Sequence, residues 1–187
     1  MINVKHVGGK YLVLIKNLLH SDNKFFAGKF DTGAVHTIIS AGCVYSKNYL
    51  INNKYDIEKR LLDENVPIKI FESATGHKFT GYLTYQENIN IGDMIIPKFF
   101  YYLNLDDDTN RILIGDDFIR FCDFNHKINS DIVITKLDTR LYEAEFNYKD
   151  SGSILSCDDI LMRTERIENA TEINISSNIK RINSFNK

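Results

Sequence analysis

The feature that most limits the fold is the shortness of the apolar segments, which are separated by turn residues through the first 137 positions. Tyr11–Ile15 follows the pair Gly8-Gly9, and Phe25–Phe30 follows the polar stretch His20–Lys24. Apolar runs of about four to eight residues bounded by Gly, Asn, Asp and Ser are typical of strands, whereas helices need longer periodic patterns. Residues 1–137 are therefore predicted to form a mostly β barrel or sandwich.

Segments of the same kind recur along the chain. The predicted strands are Tyr11–Ile15, Phe25–Phe30, Ile68–Phe71, Phe79–Tyr85, Ile89–Ile91, Ile95–Ile96, Phe99–Leu105, Arg111–Gly115, Phe124–Ile128 and Ile132–Ile134. Short helices are predicted within Ile38–Leu50 and at Asp117–Phe121, and a surface helix or loop over Asn52–Asn65. Ser73–His77 is predicted to be a hairpin turn in which Gly76 supplies a positive φ. Pro97 predicts a sheet edge or the start of a strand, because it cannot donate to a ladder.

The composition changes near Asp138, where Ser and Asn become more frequent and apolar residues thin out. Isoleucines between Ile160 and Ile182 keep a loosely helical spacing. We therefore divide the chain into a barrel domain, residues 1–137, and a C-terminal extension, residues 138–187, that is partly helical or poorly ordered. A length of 187 residues suits one domain with an appendage.

The charge balance and the length of the apolar runs exclude two classes of partner, and the cysteine content indicates the compartment. The chain has 23 Lys and Arg against 25 Asp and Glu, so we expect no nucleic-acid partner. No run approaches the roughly 18 apolar residues of a membrane span, and we expect no membrane partner. The three widely spaced cysteines are expected to be free thiols in a reducing compartment, which predicts a cytoplasmic location.

The tetrapeptide Asp31-Thr32-Gly33-Ala34 directly follows an apolar strand. A carboxylate at that position can be held in a fixed, half-buried loop, because Gly33 permits a tight turn. The Thr32 hydroxyl can donate and accept, so it can brace the loop. Taken alone, the tetrapeptide fits equally well an N-cap Asp in an ordinary strand-to-helix turn.

A second segment, Ile112–Ile119, lies about 80 residues later and reads as an apolar strand, a glycine and a short helix. Together the two segments resemble the retropepsin-like aspartic proteases, the single-lobe relatives of the pepsin-type enzymes, whose bacterial members have a turn like Ile91–Ile95. In that family an Asp-Thr/Ser-Gly-Ala motif follows an apolar strand, and an apolar segment with Gly and Asp packs behind it as a ψ-shaped loop. The resemblance covers roughly residues 10–130; the longer Ser40–Ile68 stretch and the extension depart from it.

The resemblance implies an all-β, retropepsin-like acid protease barrel with a single lobe, a flap hairpin and a short C-terminal helix. It also implies a role for particular residues. Asp31 would be catalytic, supported by Thr32, Gly33 and Ala34. Substrate would be contacted by the flap residues Ala74, Thr75, Gly76 and His77, and the ψ-loop would be supported by Ile114, Gly115 and Asp117. No metal and no cofactor are expected.

The chemistry of that family needs two carboxylates that share one proton around a water molecule. One chain supplies one such Asp, so the resemblance implies a homodimer in which both subunits contribute Asp31. The expected activity is that of an aspartic endopeptidase acting on a protein or peptide substrate. Two alternatives stay open: a catalytically silent dimeric module for peptide binding or assembly, and a monomeric barrel with a chance Asp-Thr-Gly.

The other conspicuous residues favour structural roles. Asp150-Ser151-Gly152 follows no apolar strand, so we expect a linker turn rather than a second catalytic triplet. Asp106–Asp108 lacks the alternating ligands of a calcium loop and is expected to be a solvated turn. The five histidines show no metal-ligand spacing, and His36 is expected to support the Asp31 turn. Cys43 and Cys122 are expected to pack as small hydrophobic residues.

Overall fold

The computed structural model describes residues 2–18, 25–127, 129–149 and 154–157. The strands are β1 (Ile2–Val7), β2 (Lys10–Lys16), β3 (Phe25–Phe30), β4 (Ile38–Ser40), β5 (Ile68–Glu72), β6 (Lys78–Ile91), β7 (Met94–Asn104), β8 (Ile112–Ile114), β9 (Cys122–His126), β10 (Ile132–Leu137) and β11 (Leu155–Ser156). The helices are α1 (Lys47–Asp63), α2 (Asp116–Ile119) and α3 (Thr139–Lys149), with a 3₁₀ turn at Ala41–Cys43.

Six of these strands form a closed barrel. Neighbouring strands follow the order β6-β7-β4-β8-β3-β2, and β2 pairs with β6 at Ile15↔Ile91 and Lys16↔Asn90 to close the ring. The antiparallel pair β6–β7 is the longest ladder, and Leu83, Phe99 and Leu103 from it are buried in the barrel core. The predicted all-β barrel is confirmed for the described residues.

The N-terminal strand β1 extends the barrel wall, although the sequence pattern predicts no strand before Gly8. Ile2 and Val4 are fully buried while Asn3 and Lys5 are exposed, which is the two-residue alternation of a strand with one face on a core. β1 pairs antiparallel with β2 and with β10, and β10 pairs with β9. The predicted hairpin near Phe124–Ile134 is therefore present as β9 and β10.

The connection between β4 and β5 differs from the prediction of a short helix within Ile38–Leu50. Ile38–Ser40 is a strand, because it lies between β7 and β8 and bonds to both. The helix α1 begins only after Ser46, whose side chain caps the helix by accepting a hydrogen bond from the Tyr49 N–H. Leu50, Ile57 and Leu61 form its buried face, with spacing typical of an amphipathic helix.

The described part of the extension packs on the barrel. In α3, Tyr142 is fully buried and Phe146 nearly so, and both rings pack against Phe100 of β7. The Tyr142 hydroxyl accepts a hydrogen bond from the Phe100 N–H at 2.8 Å. β11 adds a parallel strand to β6 at Leu155↔Thr84. The Asp150-Ser151-Gly152 turn and residues 158–187 lie outside the described residues.

Candidate active site

Asp31 lies immediately after β3, at the point where this strand ends beside β8. The two strands are parallel neighbours, with Phe30 opposite Ile114, and the Asp31 N–H donates to the Ile114 carbonyl at 2.9 Å. The Ala34 N–H donates back to the Asp31 carbonyl at 3.2 Å, which closes the turn. The backbone on both sides of the carboxylate is thereby fixed.

The Asp31 carboxylate has two partners and remains open to solvent. Its Oδ1 accepts a hydrogen bond from the Gly33 N–H at 2.9 Å, and its Oδ2 lies 3.2 Å from the Lys29 Nζ. The side chain is 31% exposed. Partial burial raises the pKa of Asp31, but the hydrogen bond from Lys29, the Gly33 N–H and the Lys29 charge together leave that pKa below its ordinary value.

Behind the turn, Thr37 and Asp117 join the two motif segments through buried hydrogen bonds. The Thr37 N–H donates to Asp117 Oδ2 at 2.9 Å, and the Thr37 hydroxyl donates to Oδ1 at 2.6 Å. The same hydroxyl accepts from the Gly115 N–H at 3.2 Å. Burial raises the pKa of Asp117 above its ordinary value, although the bonds from Thr37 act in the opposite direction.

The glycine of the second segment is required by close packing of backbones. A Cβ on Gly115 would lie 2.6 Å from the carbonyl carbon and oxygen of His36 and 2.9 Å from the Ala34 carbonyl oxygen. Next to it, the Asp116 N–H donates to that Ala34 oxygen at 2.7 Å, and the Asp117 N–H donates to the Val35 carbonyl. The start of α2 therefore lies directly against the turn that carries Asp31.

The hairpin of β5 and β6 carries the predicted flap tip. Gly76 has a φ of +82°, as the hairpin prediction required. The Gly76 N–H donates to the Ser73 carbonyl and the His77 N–H to the Ser73 hydroxyl, while residues 74–77 are exposed. The hydrogen bonds described for the tip are thus internal to the turn.

The base of this hairpin contacts the Asp31 turn through His36. The Lys69 Nζ of β5 lies 2.7 Å from His36 Nε2, and the imidazole packs edge-on against the rings of Phe71 and Tyr102. The Phe71 ring lies over Gly81, which is opposite Lys69 in the ladder, because Gly81 has no side chain: a Cβ there would lie 2.6 Å from the ring. His36 therefore joins the segment that follows the Asp31 turn to the hairpin, and its supporting role in the turn itself stays a prediction.

The structure brings together two of the three predicted groups of site residues. Asp31–Ala34 and Ile114–Asp117 are in direct contact, whereas the tip residues Ala74–His77 bond within their own turn. The catalytic and substrate-binding roles of all these residues remain predictions. Sequence reasoning missed Lys29 and Thr37. The two-residue period of a strand places Lys29 on the same face as Asp31, so this residue had a readable signal.

The remaining candidate residues have structural surroundings. Cys43 and Cys122 are buried thiols, as expected, and burial raises the pKa of each to about 12; Cys157 is buried as well. Asp107 accepts hydrogen bonds from Ser40 and Thr109, so the acidic turn is tied to β4. Over the described ranges, no three His, Cys, Asp or Glu side chains form a metal-binding group. Nor does any helix in those ranges have the length and apolarity needed to cross a membrane.

Comparison with known proteins finds similar chains among the solved structures. The chain is similar to the crystal structure of a retropepsin-like aspartic protease from Rickettsia conorii, at 16% sequence identity and a TM-score of 0.39. The match covers 72% of this chain and 88% of that one. No protein-family model matches the sequence, and no curated protein matches it either. At this identity and TM-score the likeness supports no functional conclusion about the present chain.

Proposed function

We propose that the protein is an aspartic endopeptidase whose active site is completed by a homodimer. The observation that carries the proposal is the state of Asp31: a solvent-accessible carboxylate on a backbone fixed by Ile114 and by its own turn. Catalytic groups need that combination of access and preorganised position. The contacts between Asp116 and Ala34 and between Asp117 and Thr37 supply the support behind it.

The dimer follows from the number of carboxylates that the reaction needs. In peptide hydrolysis by this chemistry, one ionised carboxylate takes a proton from water, which attacks the peptide carbonyl. A second, protonated carboxyl group donates a hydrogen bond to the developing oxyanion. The sequence contains one Asp-Thr-Gly, so the second carboxyl group would be Asp31 of another copy across a two-fold axis. Thr32 is exposed beside Asp31 and would lie near that axis.

An extended peptide is the substrate that suits the hairpin. Among the described strands β5 pairs only with β6, so its other edge offers unpaired backbone groups. Ile68 and Ile70 are 53% and 69% exposed on this strand and would contact apolar side chains of a peptide. Backbone pairing with such an edge gives affinity, and alternate side chains give selectivity.

The test replaces the proposed catalytic carboxylate by its neutral isostere. We expect Asp31→Asn to lower the cleavage of a mixed peptide library by at least about 10³-fold, because the water loses its base. Sedimentation of the variant should show the same dimer as the wild type. Asp93→Asn, in the turn between β6 and β7, makes the same charge change and should retain activity.

Three outcomes separate the candidate functions. Full activity of Asp31→Asn would contradict the mechanism. A wild-type dimer that cleaves no peptide between pH 4 and 7 would favour the silent peptide-binding or assembly module. A chain that remains monomeric at all concentrations, without cleavage, would favour a barrel in which the Asp-Thr-Gly has no catalytic role.

A further inference from the structure

Lys29 lies beside the proposed active site and belongs to neither motif. It lies in β3 two residues before Asp31, and its Nζ is 3.2 Å from Asp31 Oδ2. Phe30, between them, points to the opposite face and is only 5% exposed. The alternation of the strand therefore places the ammonium group and the carboxylate on the same side of the barrel wall.

The backbone that carries Lys29 is fixed on both sides, so only its side chain can move. Lys29 is opposite Leu12 in the antiparallel ladder with β2 and opposite Leu113 in the parallel ladder with β8. Its side chain is 46% exposed, which leaves the long stem free to change rotamer. Each chain thus holds a movable cation next to a fixed carboxylate.

This arrangement conflicts with the sharing of a proton between two carboxylates. Two Asp31 groups at a two-fold axis would attract one proton, because two adjacent negative charges repel. A neighbouring ammonium group weakens that repulsion and favours the form in which both carboxylates are ionised. The ionised pair has no proton to donate to an oxyanion, so the cation beside it opposes the active state.

We infer that Lys29 is a positioning residue, an inference that rests on the proposed function. In the separate chain it neutralises the charge of Asp31, and in the dimer it confines peptide cleavage to a more acidic pH range. The ion pair is partly exposed, and pairs of this kind contribute modestly. Its removal should therefore raise the pKa of Asp31, because the carboxylate loses a neighbouring positive charge. The alkaline limit of peptide cleavage should move to higher pH, with about two- to fivefold more activity on that limb.

The test compares Lys29→Met with the wild type by two independent measurements. The first is an NMR titration of the Asp31 carboxyl carbon, which needs no enzymatic activity. The second is the pH profile of kcat/KM on the same peptide library. Lys29→Arg retains the cation and should behave as the wild type. Lys136→Met is the matched control, because Lys136 is exposed on β10, a strand that is not paired with β3.

The two measurements distinguish the failure of each idea. If no variant cleaves peptide but the titration shifts in Lys29→Met alone, the ion pair is real and the proposed function is wrong. If peptide is cleaved and Lys29→Met changes neither the titration nor the alkaline limit, the inference about Lys29 is wrong. Should Lys29→Met fail to fold, the wild type in 1 M NaCl provides the same test, since salt screens an exposed pair. An Asp31 titration that salt leaves unchanged would overturn the inference.

Discussion

The hydrogen bonds of Thr37 make the strongest prediction about the stability of the site. In Thr37→Val, a methyl group replaces a fully buried hydroxyl of nearly equal size, so no cavity forms. Two bonds are lost: the 2.6 Å bond to Asp117 Oδ1 and the 3.2 Å bond from the Gly115 N–H. Both former partners are buried, and each is left without that partner.

The expected loss follows from these two bonds. A hydrogen bond to a buried carboxylate contributes about 1.5 to 3 kcal/mol, and a buried N–H left unsatisfied costs about 1 to 2 kcal/mol. The additional methyl group returns up to about 1 kcal/mol of apolar burial. We therefore expect Thr37→Val to lower the free energy of unfolding by about 2 to 4 kcal/mol.

Acid should reduce this loss. Burial raises the pKa of Asp117 in the folded chain above its unfolded value, so protonation favours the folded state as the pH falls through that raised pKa. Thr37→Val removes a bond that lowers this pKa, and hence raises the pKa further. The difference in stability from the wild type should be largest near pH 7 and should shrink towards pH 4.

Urea unfolding at both pH values, followed by circular dichroism, measures these differences. Thr37→Ser keeps the hydroxyl and should lose only about 1 kcal/mol, from the missing methyl group. Thr135→Val removes an exposed hydroxyl that donates to the Asp123 backbone carbonyl, and it should change stability by less than about 0.5 kcal/mol. The reasoning is refuted if Thr37→Val is no less stable than Thr37→Ser, or if its deficit grows in acid.

Two further substitutions test contacts that surround the site. Gly115→Ala should prevent stable folding or lower the free energy of unfolding by more than about 3 kcal/mol in a urea titration, because its Cβ would meet the His36 backbone. Gly28→Ala should lower it less, since its Cβ would meet the end of a side chain that can move, the Ile15 Cδ1 at 2.7 Å. Equal losses in the two variants would contradict this account. Tyr142→Phe should lower the free energy of unfolding by about 1 to 2 kcal/mol in the same assay, because the buried Phe100 N–H loses its acceptor. An unchanged midpoint of urea unfolding would show that water or a shift of α3 replaces the bond.

The sequence predicts best those segments whose structure depends on residues close to them in the chain. β3 was predicted with its bounds at Phe25 and Phe30, because polar residues precede its apolar run and a Gly turn follows it. β1 is not predicted, because its alternation contains only two buried residues and is followed by the polar residues Lys5 and His6. The strand Ile38–Ser40 falls within the range Ile38–Leu50 for which only a short helix is predicted, because its strand character comes from β7 and β8, which lie far along the chain.

The same distinction applies to the site. Asp31 and Gly115 could be found from their motifs, because each lies in a local strand-turn pattern. Thr37 could not, since its significance comes from a carboxylate 80 residues away that only the fold brings within reach. The burial of Tyr142 in α3 was also hidden, because the polar composition of the extension concealed two aromatic residues that pack on the barrel.

The distance along the chain between the two halves of the site also sets when the site can form during synthesis. The turn after β3 is held by the segment Ile114–Asp117, whose last residue, Asp117, the ribosome adds 80 residues after Thr37. At translation rates of about 5 to 20 residues per second, that interval is roughly 4 to 16 s. A nascent chain carries Asp31 throughout this time on a turn without its support. If the protein is a protease, it would be inactive towards neighbouring nascent chains until most of its own barrel has been made.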